Sequence, residues 1–369
     1  MQPRLLSGSM ALAWIFWGLI SPASAANCKS GRSPCRVLYF TYTAGYRHDC
    51  IPASKEVLQA VASHSGLLEV VPSEDLSLIN ADALSGFDAL FFFTSGELPL
   101  TDRQKSDLLS FVRSGGGFGG VHSATDTFYT WPEYGDLIGA YFDGHPWVQP
   151  VRIDVEDPDH PAMRDLAPSF QIFDEIYQLR NLSRDRTRVL MTLDTSSVDL
   201  TADGVHRTDG DFALAWSHLY GQGRVFYTAL GHFESTWRDD RFQRMLLNAL
   251  LWMTGQVDGD ASPRGATPVI GEGGVGDAIV PGRALAACSY IAIYGQNLTA
   301  GSTFTAPGPA LPLKLAGTMV LVNGAPIPLL YASPRQVNAQ LPVTLTPGET
   351  ATLQVWTGGR VSNAIEVRP

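Results

Sequence analysis

Four groups of ionisable side chains stand where apolar runs of this chain end: His48-Asp49, Glu97, His122 with Asp126, and His232 with Glu234. Histidine titrates near neutrality and serves as base, acid or metal ligand, and a carboxylate beside it can orient the ring. His122 carries most weight. It closes the stretch Gly115-Gly116-Gly117-Phe118-Gly119-Gly120-Val121, whose glycines let backbone pack closely, and it comes where that run must stop. In open α/β sheets ligands bind at the carboxyl ends of strands, so residues distant in sequence converge there. His145, Glu175 and Tyr177 join the set from intervening segments. Plainer readings stand beside these. His48 and Asp49 suit a helix cap, Glu97 a solvated loop, and His145-Pro146 and His160-Pro161 turn punctuation. His64 and His206 read as surface residues, and His218 at a strand end is ambiguous.

The elements that must position these groups alternate. Arg36–Tyr42 is a first strand, followed by helical spacing at Val57, Leu58, Val61 and Ala62. Leu67–Val71 and Phe87–Thr94 are further strands. Thr101-Asp102-Arg103-Gln104 is a capping box opening a helix that buries Leu108, Leu109 and Val112. Apolar runs unbroken by polar residues, alternating with helices, predict a doubly wound, mostly parallel sheet covered on both faces. After His122 come an edge-like strand Val151–Val155, an acidic-aromatic segment Phe173–Tyr177, and strands at Val189–Leu193, Ala213–His218 and Val225–Leu230. A last helix, Arg241–Met253, carries Met245, Leu246, Ala249, Leu250 and Met253 on one face. Residues 256–275 are rich in Gly, Pro, Ser and Asp and read as a linker. Beyond them, short strand-like runs predict a small all-β sandwich over 276–369, immunoglobulin-like in kind.

Composition narrows the function. Residues 1–25 read as a signal peptide: Arg4, the apolar run Met10–Ile20, then Ala23-Ser24-Ala25 as the cleavage site. That run is too short for a span of about 20 residues. A lipid anchor at Cys28 is the alternative, and Asn27 argues against it. The protein is expected to be secreted or periplasmic. The net charge of −10 is uneven: residues 276–369 hold five basic against three acidic side chains, leaving the front domain strongly acidic. Such a surface is a poor nucleic-acid partner and suits a neutral or cationic ligand. In an oxidising compartment Cys28 and Cys35 could close a small loop. Cys50 could be a reactive thiol or, more simply, a small buried residue.

Residues 36–254, within a domain placed at 34–255, closely resemble the ThuA-like (trehalose-utilisation) family. The motifs are Tyr42–Asp49, Gly115–His122, Trp131-Pro132-Glu133-Tyr134, Gly139–Pro146, Asp157–Pro161, Phe173–Tyr177 and Leu230-Gly231-His232. The resemblance implies a class I glutamine amidotransferase-like, flavodoxin-like fold. In the amidotransferase pattern one strand ends Gly-x-Cys and a later one His-x-Glu. Here Gly120-Val121-His122 puts histidine where the nucleophilic cysteine would stand, and His232-Phe233-Glu234 falls on the second element. Imidazole cannot form the thioester, so glutamine hydrolysis is not expected. The tail resembles a short β domain of unknown function on secreted bacterial proteins, through Leu330–Pro334 and Gln336–Pro342.

The resemblance implies a small carbohydrate, possibly oxidised to a keto-sugar, as ligand. His122 or His232 would be the base, Glu234 would orient His232, and Asp126 or Glu175 would act as acid. Tyr46, Trp131 and Tyr177 would stack on the sugar, with His48, Asp49, Glu97 and His145 lining the cleft. No cofactor is required by this reading. A divalent metal, zinc first, is the second chemistry these residues admit, through His48, His122 and His232 with Glu175 or Asp126. The rival function is a non-catalytic carbohydrate-binding or surface scaffold protein, with the tail contacting the cell surface or other proteins.

Overall fold

A computed structural model of the chain describes residues 28–369, apart from 208–209, 264–266, 300–302, 307, 309, 316 and 358–359. The leader expected over residues 1–25 lies outside them. Cys28 and Cys35 are joined in a disulfide. Among the described residues no helix is long and apolar enough to cross a membrane.

The front domain follows the expected alternation. Its elements are β1 (Cys35–Phe40), α1 (Ile51–Ser65), β2 (Leu68–Ser73), β3 (Ala89–Phe92), α2 (Asp102–Arg113) and β4 (Gly117–Val121). After them come α3 (Pro132–Ile138), β5 (Trp147–Val155), β6 (Ser169–Ile176), β7 (Arg188–Leu193), β8 (Ala213–Tyr220), β9 (Gly223–Thr228) and α4 (Asp240–Met253). One nine-stranded sheet runs β2-β1-β3-β4-β9-β8-β7-β5-β6. The five strands from β2 to β9 are parallel, and the remaining pairings are antiparallel. The capping box of α2 forms as expected, with Thr101 and Gln104 bonded reciprocally.

The glycines of β4 are there for packing. A Cβ on Gly119 would lie 2.6 Å from Phe91 and 2.8 Å from Met253 of α4, while one on Gly120 would lie 2.7 Å from Ile138 of α3. Neighbouring residues in a strand face opposite sides, so α4 covers one face of the sheet and α3 the other. Neither leaves room for a side chain at Gly119 or Gly120.

One feature was not expected. β5 pairs with β6 from Trp147↔Ile176 to Asp154↔Ser169, but with β7 only through Ile153, Asp154 and Val155. Most of this hairpin therefore leaves the sheet edge. Its far end returns over the carboxyl ends of the parallel strands, where Thr236 Oγ1 donates to the Phe173 carbonyl at 3.3 Å.

The C-terminal region has its own core, including Ile291, Ile293, Val320, Leu353 and Val355, between two antiparallel sheets. Its first strand, Val269–Asp277, begins inside the stretch read as linker. The glycines that suggested a linker serve backbone contact: a Cβ on Gly274 would lie 2.5 Å from the Tyr294 carbonyl oxygen.

Candidate functional site

β4 ends at Val121 and the chain turns at once. His122 takes φ 49°, a left-handed conformation uncommon for a residue with a side chain, and opens a 3₁₀ turn over His122–Thr125. The Tyr227 hydroxyl holds this turn by donating to the His122 carbonyl at 2.6 Å. The His122 ring is fully buried. Its Nδ1 lies 2.8 Å from the Ala229 carbonyl oxygen. A carbonyl only accepts, so Nδ1 carries a proton and Nε2 is the nitrogen turned to the cluster. Around Nε2 stand the Tyr177 hydroxyl at 2.9 Å, His232 Nδ1 at 3.1 Å and Glu175 Oε2 at 3.3 Å.

His232 arrives from the end of β9, and its backbone is fixed from the arching hairpin. The buried Asp174 carboxylate accepts the amides of Gly231 at 2.7 Å, His232 at 3.1 Å and Glu175 at 3.0 Å. Burial pushes the Asp174 carboxyl up, while these amides pull it down. The next residue faces the other way. Glu175 Oε2 lies 3.1 Å from His232 Nδ1, and Oε1 lies 3.4 Å from His145 Nδ1. Burial alone would raise the Glu175 carboxyl, but hydrogen bonds to His122 and His232 hold it well below the usual carboxylate range. For His232 burial would lower the ring, but the hydrogen bond to Glu175 and the charges of Glu175, Asp174 and Asp49 together raise it.

The third histidine comes from the loop after β1. His48 stands edge-on to His122 and His232, with ring centroids 4.8 and 5.0 Å away. Its Nδ1 is buried without a hydrogen-bond partner. Burial, then the two neighbouring imidazoles, lower its ring to about 3. The loops that carry these groups are stapled together. Gly96 has φ 75°, and a Cβ there would lie 2.5 Å from the Gly45 amide nitrogen. Ser95 Oγ donates to the Tyr46 carbonyl at 2.6 Å, and Gly96 N donates to the Asp126 carbonyl at 2.7 Å. One nitrogen from each of His48, His122 and His232 lies within 4.8 Å of the others, so these rings could hold a metal ion.

Comparison with known proteins places the chain in a family. A family model described as "ThuA: Trehalose utilisation" matches residues 36–253. The chain belongs to the ThuA family. A solved structure from Bacteroides uniformis ATCC 8492, described as ThuA-like, aligns with a TM-score of 0.53 at 22% identity, covering 66% of this chain and 98% of that one. A second, from Parabacteroides merdae ATCC 43184, aligns with a TM-score of 0.49 at 21% identity, covering 62% and 93%. A search of curated proteins gives no match.

Within this ThuA domain the expected residues separate into two sets. His48, His122, His232, Glu175 and Tyr177 come together, with His145 at their edge. Tyr46 is 61% exposed and meets the His48 ring edge-on. Asp49 is exposed, and its charge helps raise His232. Neither His48 nor Asp49 caps α1, whose capping residue is Cys50 with no side-chain bond.

The others are used elsewhere. Glu234 opens a short helical turn, Glu234–Trp237, which turns its side chain to solvent and onto Arg238 at 2.8 Å. Glu175, not Glu234, is the carboxylate on His232. Asp126 accepts from the Tyr129 hydroxyl at 2.7 Å, with burial raising its carboxyl. Glu97 accepts from Thr130 through both oxygens, at 3.1 and 2.9 Å, and so ties down the loop before α3. Trp131 is buried against Phe128 and Tyr134 and offers no face to a sugar. Cys50 donates to the Gly231 carbonyl at 3.3 Å and burial pushes its thiol up to about 12, so it is not a nucleophile.

Two groups were not singled out from the sequence: Asp174, inside the acidic-aromatic segment Phe173–Tyr177, and Phe142, whose ring centroid lies 4.5 Å from that of Tyr177. Strand alternation was the available signal for the first: Asp174 and Glu175 must face opposite sides.

Proposed function

We propose that this chain acts on a carbohydrate outside the cytoplasm, converting or cleaving a keto-sugar or disaccharide by acid–base chemistry. The family's description, trehalose utilisation, supports the substrate class. The observation that carries the mechanism is one carboxylate oxygen, Glu175 Oε2, shared between two imidazoles. In this reading His232 takes the proton from a carbon next to the sugar carbonyl. It is less buried than His122, with 19% of its side chain exposed against none. Glu175 stays ionised and stabilises the imidazolium, the role of the carboxylate in a catalytic triad. It is therefore not the acid. His122 and Tyr177 form the buried wall, and His145 and Tyr46 line the open side.

Positioned general bases contribute about 10²–10⁴-fold in rate. His232→Gln and Glu175→Gln are each expected to lower turnover of a keto-disaccharide at least about 100-fold, while sugar affinity by calorimetry changes little. Wild-type turnover in both variants would sink the mechanism. Sugar binding without turnover in the wild type would favour the non-catalytic carbohydrate-binding alternative.

A further inference from the structure

The three atoms at the heart of the cluster are spaced as ligands of an ion. His122 Nε2, His232 Nδ1 and Glu175 Oε2 form a triangle with sides of 3.1, 3.1 and 3.3 Å. Donors held about 2.0–2.1 Å from a tetrahedral zinc ion stand about 3.3–3.4 Å apart. The triangle thus has nearly the size of one face of that coordination shell.

The corners are also held from outside the triangle, as metal ligands usually are. His122 commits Nδ1–H to the Ala229 carbonyl. Glu175 keeps its second oxygen on His145. The buried Asp174 carboxylate fixes the His232 backbone. A fourth donor stands nearby: His48 brings a ring nitrogen within 4.8 Å of one nitrogen of each of the other two histidines, and its buried Nδ1 lacks a partner, so a small ring movement would bring it onto the ion. The Tyr177 hydroxyl, 2.9 Å from His122 Nε2, is the group that must yield.

We propose that His48, His122, His232 and Glu175 form a site for one divalent transition-metal ion, zinc first by its nitrogen and carboxylate ligands. The proposal concerns the cleft assigned above as functional, but its test reads binding and not turnover.

The experiment strips the purified full chain with a chelator and titrates it with zinc chloride by calorimetry. Cobalt chloride is added in parallel to read the visible absorption of a tetrahedral ion. One ion per chain is expected. His232→Ala and Glu175→Gln should weaken zinc at least 100-fold, and His145→Ala, which touches only the second oxygen, by about 10-fold. Circular dichroism checks that each variant is folded, and His232→Ala alters a partly exposed ring rather than the buried His122. Absence of saturable binding overturns the proposal, as does binding that both variants leave unchanged. Zinc binding without turnover keeps this site and removes the catalytic reading. Turnover by metal-free protein that binds no zinc does the reverse.

Discussion

Two neighbouring carboxylates on β6 act on the same histidine through different atoms. Asp174 holds the His232 backbone and Glu175 its ring. Their replacement should be felt differently. Asp174→Asn turns one accepting oxygen into a donor facing backbone amides, and should lower the unfolding free energy by about 2–3 kcal/mol in a urea titration. An unchanged midpoint would show that the amides do not depend on the charge. Glu234→Gln, on an exposed side chain paired with Arg238, should leave turnover within about two-fold of wild type, since surface pairs contribute at most about 1 kcal/mol. At this scale His122 and His232 were legible, because glycine-led apolar runs mark where buried strands stop. The partner of His232 was not. Glu234 is close in sequence, but a helical turn separates it from the ring, whereas Glu175 is distant in sequence and delivered by strand pairing. Trp131 misled for a related reason: an aromatic beside a loop looks available until the packing of Phe128 and Tyr134 is known.

The elements bring these residues together through the loops after β1, β3 and β4. Gly96→Ala should break that joint, since it needs φ 75° and has no space beside Gly45. A loss of about 1–3 kcal/mol is expected, read as a lower melting temperature and weaker sugar binding. β8 supplies a pH-dependent contribution away from the site. His218 donates from Nε2 to the Leu137 carbonyl at 3.0 Å, and burial lowers its ring to about 4. Below about pH 6.5 the unfolded chain takes up this proton and the folded one does not. Stability from His218 is thus present above about pH 6.5 and is lost as pH falls toward 4. Urea midpoints measured across that range should fall more steeply for wild type than for His218→Gln; parallel lines would remove the assignment. The parallel strands were legible because runs such as Ala89–Phe92 are apolar without interruption. The departure of the β5–β6 hairpin was not, because it depends on how few residues of β5 pair with β7, which no local pattern records.

For the whole molecule, two apolar cores share no residue. Contacts between the regions that carry them include Lys314 with Asp154 at 3.9 Å and the pairing of Arg360 with Asp185. Polar interfaces of this kind couple domains weakly. A chain ending after Pro263 should therefore keep the front domain's melting transition within a few degrees, and calorimetry of the full chain should show two transitions. A single merged transition that the shorter chain lacks would contradict this. The division itself was legible in the shift of composition after α4. Its boundary was not, because the glycines of Val269–Asp277 resemble those of a linker.

The pairing of β5 with β6 has one more consequence. Glu175 stands opposite Val148 and Asp174 opposite Gln149. Sliding β6 by a single position would turn Glu175 toward the backbone amides and Asp174 toward the rings. Most of the sheet would be untouched, because only three residues of β5 join the hairpin to it. Such molecules would keep their size and most of their sheet and elute with the rest, yet be inert, and without the Asp174 bonds to the amides they would melt earlier. Misfolding here would thus appear as an inactive, earlier-melting fraction, and counting competent sites against total protein would be the way to detect it.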